Sequence, residues 1–109
     1  MRYNDRVEPS SYILLALSEE AQHGYAIMQS VHRLSEGAVS LGPGTLYGCI
    51  KRLLSSGMIV EIETDDTNER RRTYELTGKG KEALAMELDR LKRVLDSSAA
   101  RRFQAGVMQ

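Results

Sequence analysis

Apolar positions in the first third of the chain recur at helical spacing and predict two short helices. Residues 12–17 are apolar on almost every side, so we expect the first helix to be buried on more than one face. Ser10 or Ser11 can begin this helix by accepting a backbone N–H in its first turn. The second helix is expected over 25–34, with an apolar stripe formed by Ile27, Met28, Val31 and Leu34.

A third helix is expected between Pro43 and Ser56, and both of its ends carry clear signals. Pro43 suits the first helical position, where its missing N–H costs no hydrogen bond, and Gly57 suits a left-handed cap. One face repeats apolar residues at helical spacing, namely Leu46, Ile50, Leu53 and Leu54. The other face carries Lys51 and Arg52 but no carboxylate, which suits a helix that lies against phosphates. Two helices, a short connection and this third helix predict a helix-turn-helix.

The hydrophobic pattern changes to a period of two after Gly57, which predicts a β-hairpin. Residues 65–68 are typical of a turn, and apolar residues on either side define the expected inner face: Val60, Ile62, Tyr74 and Leu76. A tight turn would place Arg72 opposite Glu63 and leave Arg71 on the other face. A hairpin that directly follows a helix-turn-helix is a wing.

Leucines dominate one side of the C-terminal segment. Thr77 can cap a helix start, and the leucines that follow have the spacing of a coiled-coil seam. A helix that reaches Phe103 would be about 39 Å long, which is more than a small winged domain can cover. A second copy of the same helix is therefore the expected partner, through Leu84, Leu88, Leu91, Leu95 and Phe103.

Together these elements predict a mainly α fold of the α+β type. Residues 9–77 would form a winged helix-turn-helix of three helices and a two-stranded β-hairpin. Residues 78–104 would form one long C-terminal dimerisation helix. The two ends, 1–8 and 105–109, are expected to be flexible.

The composition fits one soluble domain without a membrane segment. The chain has 109 residues, of which 41% are hydrophobic and 28% charged, and its polar start does not resemble a secretory signal. No apolar run approaches the roughly 20 residues needed to span a membrane. The single cysteine, Cys49, cannot form an internal disulfide, so the expected location is the cytoplasm.

Charge is balanced overall but unevenly distributed. The 15 Lys and Arg residues equal the 15 Asp and Glu residues in number, which counts against a general nucleic-acid binder. Positive charge is nevertheless concentrated in 41–60, which has no carboxylate, and in 70–81, where Glu75 is the only one. The sequence therefore allows a local DNA-binding surface.

The sequence contains no pattern expected of an enzyme. It has no recognisable nucleophile–base pair or phosphate-binding loop, and His23 and His32 lack further metal ligands at suitable spacing. We therefore expect no cofactor and no metal, and we expect His23 to close the turn between the first two helices. Cys49 is expected to be a small packed hydrophobe, with a thiol sensor as the alternative.

Four stretches of the chain resemble the PadR family of bacterial transcriptional regulators. Residues 23–25 are similar to the family's HGY motif, and residues 42–47 to SPGTLY. Residues 51–59 are similar to KRLxxxGLI, and residues 71–77 to the wing strand R-[RK]-Y-Y-x-L-T. The resemblance covers about residues 11–82, and the single C-terminal helix resembles the small subfamily. The chain departs from the family pattern at Gly42, Gly48 and Thr73.

This resemblance implies a homodimer that binds double-stranded DNA at a pseudo-palindromic operator, usually as a repressor. The third helix would enter the major groove and the wing would follow the adjacent minor groove. The implied DNA contacts are Thr45, Tyr47, Lys51, Arg52, Arg71, Arg72 and Tyr25. Several small members enclose a pocket for flat apolar compounds, so a small hydrophobic effector is also implied. The alternative is a winged-helix adaptor that binds another protein and no operator.

Three features of the sequence allow competing interpretations. Tyr47 lies on the flank of the apolar stripe, so it either packs against the domain or directs its hydroxyl to DNA. The arginines at 70–72 either contact a minor groove or pair with acidic residues across the hairpin. Gly48 either permits close approach to a groove or serves packing inside the domain.

Overall fold

The computed structural model describes residues 9–63 and 72–107 and divides them into helices and short strands. The elements in chain order are α1 (Pro9–Glu19), β1 (Gln22–His23), α2 (Gly24–Leu34), α3 (Pro43–Ser55), β2 (Ile59–Ile62), β3 (Thr73–Leu76), α4 (Gly78–Asp96) and α5 (Ser98–Val107). The predicted order of three helices followed by a hairpin is confirmed. The predicted wing turn, Arg71 and the N-terminal end lie outside the described residues. None of the described helices has the length and apolar character needed to cross a membrane.

The hydrophobic core lies between α1, α2 and α3 and continues onto the sheet and the start of α4. As predicted, α1 is buried on more than one side, because it contacts α2, α3 and α4 as well as β3. Ile13, Ile27 and Leu46 are completely buried at the centre of this core. Burying side chains of this size stabilises a fold by roughly 1.5–3 kcal/mol each. These contacts therefore fix how α3 packs against α1 and α2.

The helix ends use the signals visible in the sequence. His23 Nδ1 accepts the Ala26 N–H at 3.3 Å and so caps α2, in agreement with its expected role in closing the turn. At the end of α3, Gly57 adopts a φ of +76°, and the Met58 N–H donates to the Leu53 carbonyl at 3.0 Å. This is the left-handed helix termination predicted from the glycine.

The sheet has three antiparallel strands in the order β1-β3-β2, one strand more than the sequence predicts. The additional strand, β1, contains only Gln22 and His23, and Gln22 lies opposite Tyr74 of β3. A strand this short has no alternating pattern, so periodicity cannot detect it. The Gln22 side chain is buried, donating to the Ala16 carbonyl at 2.8 Å and accepting from the Ser30 hydroxyl at 2.7 Å. These bonds attach β1 to both α1 and α2.

The predicted inner face of the hairpin is wrong in β2. Ile59 lies opposite Leu76 and is 2% exposed, whereas Val60 is 45% exposed and Ile62 is half-buried on the same face as Val60. Directly opposed residues of an antiparallel pair share a face, so the buried Leu76 brings Ile59 inward and turns Val60 outward. The two inner residues predicted on β3, Tyr74 and Leu76, are buried as expected.

The C-terminal segment forms two helices and not the single helix predicted over 78–104. α4 ends at Asp96, and Ser97 then has an extended backbone with ψ of 148°. The Ser97 hydroxyl accepts the Ala100 N–H at 3.1 Å, so it caps α5 and competes with continuation of α4. Residues 105–107, expected at a flexible end, belong to α5.

Candidate nucleic-acid interface

The two sides of α3 differ in the way the sequence predicts. Four predicted contacts lie on the exposed side: Thr45, Tyr47, Lys51 and Arg52. The buried side consists of Leu46, Cys49, Ile50 and Leu53. Cys49 therefore occupies the apolar stripe where Leu54 was expected, and Leu54 is exposed. Since α3 contains no acidic residue, its exposed side presents cationic and hydroxyl groups without a competing carboxylate.

Tyr47 is held by the beginning of α2. Its ring lies so close to Gly24 that a Cβ atom at Gly24 would stand 3.0 Å from Tyr47 Cζ and closer still to the hydroxyl oxygen. A side chain at position 24 would therefore require the ring to shift from this position. Tyr47 packs against the domain in this way while 51% of its surface stays exposed. Tyr25, the residue after Gly24, is also exposed, so two aromatic side chains lie at this end of α2.

Arg52 lies along its own helix. Its Nη2 is 3.2 Å from Cys49 Sγ, and a Cβ atom at Gly48 would stand 3.8 Å from its Nη1. The second distance is an ordinary contact, so packing among the described residues does not require glycine at position 48. Cys49 is 1% exposed, as expected of a packed hydrophobe.

Arg72 is the predicted wing contact that falls within the described residues. Its Nε lies 3.8 Å from Glu61 Oε1, and both side chains are largely exposed. A tight turn predicts Glu63 as the partner of Arg72. The observed partner, Glu61, is two residues earlier on β2 and lies diagonally across the hairpin from Arg72. Exposed ion pairs contribute roughly 0–1 kcal/mol. The guanidinium can therefore exchange this partner for another anion at little cost.

Tyr74 lies beside this ion pair on β3. Burial raises the pKa of its hydroxyl, and the negative charge of Glu61 raises that pKa further, while Arg72 lowers it. The phenol is therefore neutral at physiological pH. Tyr74 therefore adds no charge to the base of the wing.

Lys79 belongs to no motif of the sequence, but it ties α4 to the end of α3. Lys79 Nζ donates to the Ser56 carbonyl at 2.7 Å, and the Thr77 hydroxyl donates to the Gly57 carbonyl at 2.6 Å. The Thr77 N–H donates to the Met58 carbonyl at 3.1 Å. Three consecutive carbonyls after α3 thus bind the beginning of α4, an arrangement that we call the α3–α4 clamp. Lys79 and Ser56 are 23 residues apart, so no local sequence pattern could reveal their contact.

The residues predicted to form a dimer fall into two groups. Leu84 is 7% exposed and belongs to the core of its own domain, because the start of α4 packs against α1 and β3. It therefore has little surface left for the dimer seam to which the spacing of the leucines assigned it. The other residues of the row are exposed, namely Leu88, Leu91, Leu95 and Phe103. A row of exposed apolar side chains is typical of a protein–protein contact surface.

An open groove with a volume of about 540 Å³ lies between the end of α1, β3 and α4. Its lining includes the apolar residues Leu17, Leu76, Leu84 and Leu88. The volume falls within the range of roughly 300–1,000 Å³ that is usual for small-molecule sites.

Within 9–63 and 72–107, no group of His, Cys, Asp or Glu residues is placed to hold a metal ion.

Several solved structures are similar to this chain. A PadR family transcription regulator from hypervirulent Clostridium difficile R20291 is 26% identical, with a TM-score of 0.66 over 81% of this chain and 94% of that chain. Bacillus subtilis PadR in complex with operator DNA is 25% identical, with a TM-score of 0.63 over 72% of this chain and 45% of that chain. H. salinarum RosR shares the fold at 24% identity, with a TM-score of 0.68 over 95% of this chain and 91% of that chain.

One curated relative is similar in sequence. This uncharacterised 37.1 kDa protein in transposon TN4556 of Streptomyces fradiae is 34% identical over 94 residues. Those residues are 86% of this chain and 25% of the relative, so the chain spans about a quarter of that protein's length.

Residues 13–86 match the family model described as "Transcriptional regulator PadR-like family". The matched segment contains α2, α3, both hairpin strands, most of α1 and the first half of α4. It therefore includes nearly all of the described winged helix-turn-helix, and it confirms the resemblance inferred from the sequence motifs. The chain belongs to the PadR-like family of transcriptional regulators.

Proposed function

We propose that this protein is a homodimeric repressor that binds a pseudo-palindromic operator through α3 and the β2–β3 wing. The observation that carries the proposal is the exposed side of α3, where Lys51 and Arg52 occur on a helix without acidic residues. Winged helices commonly place such a helix in the major groove. The similarity to Bacillus subtilis PadR in complex with operator DNA supports the same class of ligand. A repressor needs access to chromosomal DNA, which implies a cytoplasmic location.

The exposed side chains suit different parts of a DNA duplex. Arg52 can bind guanine edges through two parallel hydrogen bonds, and Lys51 is suited to a phosphate or to a base edge. Thr45 lies in the first turn of α3, where backbone N–H groups and the helix dipole favour a phosphate. Tyr25 and Tyr47 can donate to the phosphate backbone from the beginning of α2 and from α3.

The wing provides a second set of contacts. Arg72 pairs at 3.8 Å with the exposed Glu61, and a phosphate could replace that partner at little cost. Arg71 is assigned the same role on its position in the sequence. Arginine side chains favour narrow minor grooves, where the negative potential is enhanced. These two arginines would therefore follow the minor groove beside the major-groove site.

A second copy of the chain is the proposed partner for the exposed row on α4 and α5. Leu88 and Leu91 would contact the partner near the winged domain, and Leu95 and Phe103 would do so farther along. A symmetric pair would cover both rows at once. It would also place two α3 helices on successive major grooves, about 34 Å apart.

The groove between α1, β3 and α4 is the proposed site for a small apolar effector. It extends from Leu84 in the domain core to Leu88 in the exposed row. A compound bound there would touch both the winged domain and the proposed dimer contact. Stronger binding to one dimer geometry than to another would shift the population and change DNA affinity.

A salt titration of binding to the DNA upstream of the protein's own gene tests the proposal. Each phosphate that the protein neutralises should contribute a slope of about −0.9 in a plot of log K against log salt. The competing function is a protein-binding adaptor, which the zero net charge favours. An adaptor predicts weak binding to DNA with a flat salt response, and that result would overturn the repressor proposal.

A further inference from the structure

The α3–α4 clamp joins two helices with different proposed roles, and we infer that Lys79 is a positioning residue for the recognition helix. The inference rests on the proposed operator binding. α3 would read the DNA, whereas α4 carries the row through which two copies would associate. Lys79 bridges them through its bond to the Ser56 carbonyl.

The clamp is closely fitted to the end of α3. Carbonyls after a helix lie at the negative end of its dipole, where an ammonium group is favourable. A Cβ atom at Gly57 would stand 3.9 Å from Lys79 Cδ, so the lysine side chain lies along the glycine that ends α3. A Cβ atom at Gly80 would overlap the Met58 carbonyl oxygen, so α4 approaches this segment as closely as its backbone permits. The contact is therefore a defined junction between the two helices.

One turn of helix connects this junction to Arg52, one of the proposed DNA contacts. The Ser56 N–H donates to the Arg52 carbonyl at 3.0 Å, so Ser56 closes the turn that carries Arg52. The bond from Lys79 holds the carbonyl of the same Ser56. Loss of that bond would loosen the turn of Arg52 relative to α4. In a dimer, the two recognition helices would then be held less firmly in their mutual orientation.

The competing role for Lys79 is a direct contact with a phosphate, because its side chain is exposed. Two measurements separate the roles. A lost phosphate contact makes the salt slope shallower by about 0.9 per subunit, or about 1.8 for the proposed dimer. A lost positioning contact leaves the slope unchanged and reduces the discrimination between half-site spacings, because that discrimination depends on the rigidity of the dimer.

The test compares Lys79→Met with Lys79→Arg, which keeps a donor, and with Lys81→Met, which removes the same charge two residues further along α4. The probe is a duplex that the wild-type protein selects from a randomised library, together with a version carrying one extra base pair between its half-sites. Affinity is measured over a range of salt concentrations. Sedimentation and thermal unfolding establish that each variant is folded and associates like the wild type.

We expect Lys79→Met to bind the selected duplex about three- to fivefold more weakly, as for loss of an exposed charged contact. Its salt slope should equal that of the Lys81→Met control, and its penalty for the extra base pair should be smaller than in the wild type. Lys79→Arg should restore both affinity and spacing discrimination. A slope that is shallower by about 1.8 than that of Lys81→Met, which is about 0.9 for each subunit of the proposed dimer, would overturn the inference in favour of a phosphate contact. Unchanged affinity and unchanged discrimination would also overturn it, whereas a wild-type protein that selects no sequence would overturn the proposed function itself.

Discussion

The ring of Tyr47 on α3 lies directly against Gly24 at the beginning of α2, with Tyr47 Cζ 3.0 Å from the position that a Cβ atom would occupy. This relationship joins the His-Gly-Tyr stretch to the Thr-Leu-Tyr stretch in space. The first supplies a position without a side chain, and the second supplies the ring that fills it. The contact orients the exposed side of α3 relative to α2.

Replacing Gly24 with alanine should therefore disturb α3. We expect Gly24→Ala to lower the free energy of unfolding by about 1 kcal/mol, the low end of the range for overpacking, because the half-exposed ring can shift toward solvent. In a Tyr47→Ala background the added methyl group has room, so the same change should cost far less. Urea unfolding of the four proteins in this cycle measures the coupling. Equal costs in both backgrounds would show that the ring does not set the requirement for glycine.

Gly48 allows a contrasting prediction, because a methyl group there would make an ordinary contact with Arg52 Nη1, at 3.8 Å, and no closer one. Gly48→Ala should raise the free energy of unfolding by up to about 1 kcal/mol, the difference in helix propensity. The same variant should bind operator DNA more weakly if the glycine permits close approach to the groove. Thermal unfolding and anisotropy titrations measure the two effects. If the variant is more stable and its affinity for DNA is unchanged, then Gly48 is not needed for close approach of α3 to the groove.

The exposed row on α4 and α5 predicts where a dimer can be disrupted. Leu88→Asp combined with Leu95→Asp should produce monomers, because two buried carboxylates would have no partners. Met86 is also exposed but lies on the opposite side of α4, so Met86→Asp is the matched control and should stay dimeric. Sedimentation velocity distinguishes the species. A dimer that persists in the double variant would show that another surface holds it together.

Tyr74 predicts a loss of stability at alkaline pH. Its pKa is raised above 10.0, mainly by burial, so the folded state favours the neutral phenol. The resulting stabilisation is present below the unfolded pKa and is lost as the pH rises through the folded pKa. The free energy of unfolding of the wild type should therefore fall relative to that of Tyr74→Phe when the pH is raised from about 8 to about 11. A difference that stays constant over this range would show that Tyr74 titrates normally.

The parts of the fold that local signals determine could be predicted from the sequence. Pro43 and Gly57 mark the two ends of α3, and the positive φ of Gly57 follows from the absence of a Cβ atom. The exposed cationic side of α3 follows from its periodicity. The sequence alone therefore predicts which side of α3 forms the candidate interface.

The parts that depend on tertiary contacts could not be predicted. Ile59 and Val60 are neighbouring apolar residues, and only the pairing with Leu76 decides which of them is buried. The break at Ser97 depends on whether its hydroxyl caps a new helix or faces solvent. Leu84 has the spacing of a dimer seam, but the packing of α4 on α1 buries it within its own domain. For Ile59 and Leu84, long-range contacts select between two local alternatives, whereas the break at Ser97 involves a local bond to a residue three positions along the chain.

The most direct test of DNA binding by α3 is the salt dependence of operator affinity in a variant carrying Lys51→Met and Arg52→Met. The matched control carries Lys92→Met and Arg93→Met, which removes the same Lys-Arg pair from α4. Because the proposed dimer carries two copies of α3, the slope should become shallower by about 3.6 if both cations contact phosphates, and by about 1.8 if Arg52 binds a base instead. The control should retain the wild-type slope. An α3 variant that keeps both the affinity and the slope of the wild type would contradict the placement of α3 on DNA.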